Sequence, residues 1–278
     1  MNFLKMHGLG NDFVFVDCIG DPAGAEAAQK RAAWLCDRHF GVGADGVVLV
    51  LQGTAAPLRM RIFNPDGSEA EMCGNAMRCF ARYTYERGLA GDETFPVETL
   101  AGIMWPTVKA EDGQVRAVSV DMGPPHLAPQ EIPMDWPHSP VLEQPLPVGD
   151  ETVTVTCLSM GNPHCVIYVE DVDAYPVAQM GSKIERHPAF PKRTNVEFVQ
   201  VLSSHEVRVR VWERGAGETL ACGTGAAATT VASVLTGRAG REITVNLPGG
   251  ALLLRWRDDD HVVMAGPAEY VFEGRTTE

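Results

Sequence analysis

Short runs of alternating apolar and polar residues recur along the chain. LRMRIF at 58–63 and EVRVRVWE at 206–213 are examples, and a two-residue period is that of a strand with one buried face. On this pattern, or on short unbroken apolar runs, strands are expected at 2–7, 12–17, 47–51, 58–63, 97–100, 104–110 and 115–121. A second set is expected at 153–158, 164–169, 196–202, 206–213, 243–247, 251–257 and 261–264. Helical spacing appears in Ala28, Ala32, Leu35, Cys36 and His39, and again in Val177, Met180, Gly181 and Ile184 behind Pro176. Two further helices, over 74–87 and 223–236, are small or apolar around most of their circumference, which marks helices enclosed by protein. Gly88 and Gly237 close them.

The pattern repeats. RMRIFNPDGSEAEMCGN (59–75) and RVRVWERGAGETLACGT (208–224) superimpose without a gap, with identities at Arg59/Arg208, Arg61/Arg210, Glu69/Glu218, Cys73/Cys222 and Gly74/Gly223. Other blocks recur in the same order. GLGNDFVFVD matches SMGNPHCVIYVED, with Asn11 opposite Asn162, and ADGVVLV matches RTNVEFV, with Gly46 opposite Asn195. TLAG then matches NLPG, and MGP matches AGP. Ordered self-similarity of this kind is the mark of a duplicated unit. The expected class is α+β: two pseudo-symmetric domains, each a curved, mostly antiparallel, barrel-like sheet around a central helix. The boundaries expected are 1–122 plus 268–278 for the half carrying Cys73, and 123–267 for the half carrying Cys222. The Pro-rich stretch at 123–147 should form an extended, irregular connection.

Composition narrows the chemistry. A chain of 278 residues exceeds the usual size of a single core, which agrees with two domains. A net charge of −13 argues against nucleic acid or an anionic membrane as the main partner. The N-terminus has no basic region followed by a long apolar core, and no apolar run reaches membrane-spanning length, so a cytoplasmic protein is expected. Seven cysteines, scattered singly, suit neither a disulfide framework nor a clustered metal site. Cys18, Cys36, Cys79, Cys157 and Cys165 are read as small buried hydrophobes.

Cys73 and Cys222 differ because each stands where a buried helix begins. The free N–H groups and dipole of a first turn favour an anion and lower the pKa of a thiol placed there. Two such starts facing one another would hold a carboxylate and stabilise the charge that develops when the neighbouring Cα–H proton leaves. One thiolate and one thiol on opposite faces of that carbon would invert it.

GLGNDFVFVD, NPDGSEAEMCGNAMRC, GNPHC and ERGAGETLACGTG, in this order, resemble the signature blocks of the diaminopimelate epimerase family over most of the chain. The resemblance implies a homodimeric, pyridoxal-free enzyme that needs no cofactor or metal. Its substrate would be a small diamino-dicarboxylate, LL-diaminopimelate interconverted with the meso isomer, on the route to lysine and peptidoglycan. It implies Cys73 and Cys222 as base and acid, with His164 and Glu213 tuning them. Gly74, Asn75, Gly223 and Thr224 would hold the reacting carboxylate, and Asn11 and Asn162 would line the pocket. Asn64, Asn195 and Arg214 would read the distal carboxylate, with Glu213 accepting the distal ammonium. Two positions depart from the family pattern: Gly46 replaces a Gln found in some members, and Ala76 replaces the second Gly of CGNG.

Rival readings make different demands. A disulfide switch would leave the amide and acidic residues without purpose, and a cysteine hydrolase would leave the second Cys unexplained. A proline or hydroxyproline racemase, or a binding homologue without the chemistry, stays open. The former substrates lack the second amino-acid head that Glu213 and Arg214 would bind.

Overall fold

A computed structural model describes residues 1–277, which fall into two compact units: Met1–Asp121 with the segment from Ala265 onward, and Met122–Met264. The first unit begins with strands β1 (Asn2–Gly8) and β2 (Asn11–Asp17), then short helices α1 (Pro22–Lys30) and α2 (Ala32–Cys36). Strands β3 (Gly46–Gln52), β4 (Leu58–Phe63) and β5 (Glu69–Ala70) lead into helix α3 (Gly74–Glu86). Strands β6 (Val97–Thr99), β7 (Gly102–Met104), β8 (Thr107–Glu111) and β9 (Gln114–Asp121) follow. The second unit runs β10 (Val141–Val148), β11 (Glu151–Ser159), β12 (Pro163–Tyr168), α4 (Val177–Glu185), β13 (Asn195–Ser203), β14 (Glu206–Glu213), β15 (Gly217–Thr219) and α5 (Gly223–Leu235). It ends in β16 (Glu242–Leu247), β17 (Gly250–Trp256) and β18 (Val262–Gly266), after which β19 (Glu269–Arg275) returns to the first unit.

The duplication is visible in topology. In the first unit the order is β19-β1-β2-β3-β4-β6-β7, with β5 on β4; in the second it is β10-β11-β12-β13-β14-β16-β17-β18, with β15 on β14. In the first unit, and from β10 to β17 in the second, the ladders are antiparallel except at the same two places in each unit. β2 and β12 run parallel to β3 and β13, and β4 and β6 run parallel as β14 and β16 do. Each parallel joint is one whose connection passes through a helix, as a parallel crossover requires. The sheets are open rather than barrels, with β19 and β10 as edge strands among the described residues.

Both faces of the central strands are covered, which explains their near-continuous apolar runs. In the first unit Val14, Val16, Val47 and Leu49 pack with Ala28, Ala32 and Leu35 of α1 and α2. Because side chains alternate, Phe13, Phe15 and Val48 belong to the opposite face, where Phe15 meets Tyr83 of α3. In the second unit Cys165, Ile167, Val196 and Phe198 pack with Val177, Met180 and Ile184 of α4. The alternate positions His164, Val166, Asn195 and Glu197 therefore share the face that α5 covers. Ala76 to Ala81 of α3 and Ala226 to Ala232 of α5 are buried, in keeping with helices enclosed by protein.

Three local expectations change. The stretch at 123–147 is not wholly irregular, since Val141–Val148 forms β10. Its Pro145 and Pro147 are tolerated because the strand lies at a sheet edge, where missing donors cost little. β19, unpredicted, forms from Glu269–Arg275 against β1. The first helical stretch breaks at Arg31, and His39 lies in a turn beyond it.

α4 lies close on β14. A Cβ built on Gly181 would come within 2.5 Å of Trp212 Cβ, so only glycine permits this approach. Gly181→Ala should lower stability by about 1–3 kcal/mol, read as a lowered Tm; an unchanged Tm would mean α4 shifts freely.

Candidate active site

Each cysteine reaches its helix by the same device. Arg61 of β4 forms a two-pronged bond to Glu69 of β5, Nε to Oε1 at 2.8 Å and Nη2 to Oε2 at 2.7 Å. Arg210 of β14 grips Glu218 of β15 likewise, at 2.6 and 3.1 Å. Such forks fix geometry as well as adding attraction. They pin the hairpin that delivers the next residues to the helix start, which gives a physical reason for two of the repeat's identities. Cys73 and Cys222 are then the N-cap residues of α3 and α5, both with extended backbone (φ −144° and −124°).

In the first unit the thiol sits among amides. Leu9 (φ 58°) and Gly10 (φ 85°) make a two-residue turn with both residues left-handed, and Asn11 follows it directly. Asn75 Nδ2 donates to Asn11 Oδ1 at 3.0 Å, while the half-buried Cys73 thiol lies 3.9 Å from the same oxygen. Asn11 Nδ2 in turn donates to Asp45 Oδ2 at 2.8 Å. Asp45 belongs to a charged cluster in which Arg38 bridges Asp12 and Asp45, and Lys5 pairs with Asp12 at 2.6 Å. Asn75 Oδ1 is buried without a hydrogen-bond partner among the described residues. Arg78, fully buried one turn along α3, donates from Nε to Pro267 O and lies within electrostatic reach of Cys73.

In the second unit a polar chain runs to the sulfur. Glu197 Oε1 lies 2.7 Å from His164 Nδ1, with both side chains sealed from solvent. His164 Nε2 lies 2.9 Å from Asn162 Oδ1, and Asn162 Nδ2 donates to Thr224 Oγ1 at 3.2 Å. Thr224 Oγ1 is 3.5 Å from Cys222 Sγ, which also accepts from the Gly225 N–H at 3.3 Å. Asn195 is committed to the main chain: Nδ2 donates to Pro163 O, and Oδ1 accepts from the Arg214 N–H. Arg214 itself is exposed and donates to Lys192 O. Glu213 accepts from Thr219 Oγ1.

The structure thus draws Cys73, Asn11 and Asn75 into one cluster, and Cys222, Thr224, Asn162 and His164 into another. Gly74 and Gly223 open the two helices. Asn64 stands apart in the β4–β5 turn, where its Nδ2 donates to Ser68 Oγ. At Gly46 a Cβ would lie 3.1 Å from Phe63 O and 3.4 Å from the Phe13 ring, so the strand packing leaves little room for a longer residue.

One expectation reverses. A helix N-terminus lowers thiol pKa, yet the Cys222 thiol is pushed well above its ordinary range. Burial is the largest cause, and the carboxylates of Glu213 and Glu197 add to it; the bonds from Thr224 and Gly225 only partly offset them. Burial likewise pushes Cys18 and Cys36 up to about 11 and Cys79 to about 12, which suits inert packing residues. Glu197, Asp45 and Arg78 escaped the sequence reading. For Glu197 the signal was a single charge inside the apolar run NVEFV.

Among the described residues, His, Cys, Asp and Glu do not gather in threes suited to a metal ion, and no helix is long and apolar enough to cross a membrane. The family model for diaminopimelate epimerase matches residues 3–128 and 156–271. The chain is 57% identical over 274 residues to the diaminopimelate epimerase of Pelotomaculum thermopropionicum, covering 99% of this chain and 98% of that one. It is 57% identical over 277 residues to that of Moorella thermoacetica, covering 99% and 98%. A phenazine biosynthesis protein of the PhzF family from Bacillus anthracis shares the fold at a TM-score of 0.70 and 20% identity, covering 99% and 98% of the two chains. A hydroxyproline epimerase from Agrobacterium vitis does so at 0.69 and 16%, covering 99% and 91%.

Two outcomes are expected. At Asp12, burial pushes the carboxyl up, but Arg38 and Lys5 more than offset this and hold it at about 2, below its ordinary 3.8. A depressed carboxyl contributes stability that is complete above its unfolded pKa and is lost as pH falls from about 3.8 towards about 2. Asp12→Asn should therefore be less stable than wild type near neutrality, and the difference should shrink across that window in pH-dependent urea unfolding. A difference that holds constant to pH 2 would remove Asp12 from the balance. Separately, a Cβ at Gly225 would lie 2.8 Å from Glu197 Oε1 and 3.3 Å from Cys222 Sγ. Gly225→Ala should cut kcat at least about tenfold by displacing one of them; wild-type kcat would show that the carboxylate and sulfur yield without consequence.

Proposed function

The chain belongs to the diaminopimelate epimerase family and is an isomerase of that kind, and from this premise we propose that Cys73 and Cys222 are its two acid–base groups. The observation that carries the proposal is the matched pair of helix-capping cysteines, each at the same topological place in its unit. One thiolate removes the α-proton from one face of LL-diaminopimelate, and the other group, as a thiol, delivers a proton to the opposite face. The product is the meso isomer, and the roles exchange in the reverse direction. Lysine biosynthesis follows from this activity.

The main-chain N–H groups at Gly74, Asn75, Gly223 and Thr224 are suited to the reacting carboxylate, since first-turn amides favour an anion. They also offset the charge that builds up as the α-proton leaves. One N–H of Asn75 Nδ2 is committed to Asn11, which leaves the second N–H to offer the carboxylate and the buried amide oxygen to accept from the α-ammonium. His164 and Asn162 orient Thr224 beside Cys222. Glu213 raises the field against a Cys222 thiolate and, with Arg214, Asn64 and Asn195, is assigned to the distal amino-acid head. Asn195 acts there by holding the Arg214 main chain in place. We assign the enzyme to the cytoplasm and to a homodimer, as the family resemblance implies.

Cys73→Ala and Cys222→Ala should each lower kcat for LL-diaminopimelate by at least about a thousandfold, measured by chiral separation of the isomers. Near-native turnover in either would overturn the two-thiol assignment. Arg214→Ala should raise KM more than it lowers kcat, as loss of a distal contact does; unchanged constants would place Arg214 outside the site.

A further inference from the structure

The two halves differ most where the repeat is silent. By register, His164 lies beside Asn195 on the parallel β12–β13 joint, and the matching position beside Gly46 is Phe13. Glu197 pairs with Val166, and the residue at its place, paired with Phe15, is Val48. Thus α5 faces a buried histidine and carboxylate where α3 faces a phenyl ring and a valine. The helices themselves differ as well: α3 carries the buried Arg78, and its repeat equivalent in α5 is the uncharged Ala227.

Hydrogen-bond bookkeeping defines the state of the pair. The Asn162 amide oxygen can only accept, so His164 Nε2 carries a proton. The 2.7 Å contact between Nδ1 and Glu197 Oε1 needs one more proton between them, so pair and proton together are neutral. Glu197 Oε2 is buried without a hydrogen-bond partner among the described residues, so the carboxyl is held by the histidine and by packing. Its Oε1 and the Cys222 sulfur both crowd the site of a Gly225 Cβ, at 2.8 and 3.3 Å, so an anionic sulfur there would confront a carboxylate oxygen across one α-carbon.

We propose that Glu197 is a positioning residue of the epimerisation: it fixes the tautomer of His164, and through Asn162 and Thr224 the surroundings of Cys222, and it keeps the proton on that thiol in the resting enzyme. The inference rests on the reading of Cys222 as one of the two acid–base groups. It assigns to β13 of the second unit a share of the asymmetry between the two thiols, beside the shares of Glu213, whose repeat counterpart is Asn64, and of Arg78. The ionisable groups facing Cys222 are Glu213 of β14, Glu197 of β13 and, beyond Glu197, His164 of β12. Only Glu197 is fully enclosed with the histidine.

The test uses Glu197→Gln, whose amide can still donate to His164 Nδ1 and so keeps the shape while removing the acid. Iodoacetamide labelling across pH, read cysteine by cysteine by mass spectrometry, should place the Cys222 midpoint about one pH unit below wild type. kcat should fall about tenfold with KM within about twofold. Glu197→Val, which copies the other half, should lower kcat further by releasing His164. A Cys222 profile that superimposes on wild type overturns the proposal. Fully buried Cys157 and Cys165 report the fold, because they stay unlabelled while it is intact. Should they react, nitrogen-15 NMR of histidine-labelled wild-type enzyme decides instead, with the signal assigned through His164→Gln. Nε2 protonated throughout the folded pH range supports the proposal, and a bare Nε2 overturns it. If Cys222→Ala keeps turnover, the acid–base reading itself fails; if it does not and Glu197→Gln behaves as wild type, only the role of Glu197 fails.

Discussion

Everything in the site depends on a thiol held at the mouth of a buried helix. A first helical turn presents amides that its own backbone cannot satisfy, and burial removes the water that would otherwise satisfy them. Cys73 and Cys222 both stand at the caps of α3 and α5, and at Cys222 the sulfur accepts the Gly225 N–H, a donor that is pre-aimed and needs no reorganisation. The Arg–Glu forks on β5 and β15 make the placement reproducible, because they lock the short hairpins feeding each cap.

Such a position pulls on thiol acidity in two directions. The helix terminus and its donors favour the thiolate; desolvation and neighbouring carboxylates favour the thiol. At Cys222 the second pair wins, since burial leads and Glu213 and Glu197 reinforce it. The proton transfer proposed for this pair needs both outcomes, one sulfur ready to accept a proton and one ready to give it. Two halves with identical surroundings would not distinguish them, so the polar residues of β12 and β13 gain significance from having Phe13 and Val48 as their counterparts.

The sequence made the repeat, the enclosed helices and the two helix-capping cysteines legible, because duplication leaves matched residues and period-two strands leave a strong pattern. Its blind spots have physical causes. β10 was hidden by Pro145 and Pro147, which argue against a strand unless one knows that it lies at an edge. β19 was hidden because it is exposed along most of its length and shows no buried alternation. Glu197 stands out only once the alternation of β13 places it on the α5 face, and the commitments of Asn75 and Asn195 to neighbouring groups depend on contacts distant in sequence. The rise in the Cys222 pKa likewise reflects burial, which no motif encodes.

The central claim is that two different groups handle the proton on the two faces of one carbon. Its most direct test is a short incubation of LL-diaminopimelate with wild-type enzyme in deuterium oxide, stopped before much product forms, with both isomers recovered and analysed for deuterium at the α-carbon. Two groups predict that the new meso isomer carries solvent deuterium while the remaining LL isomer keeps its protium. Deuterium appearing equally in both isomers from the start, or protium retained in the product, would contradict the account.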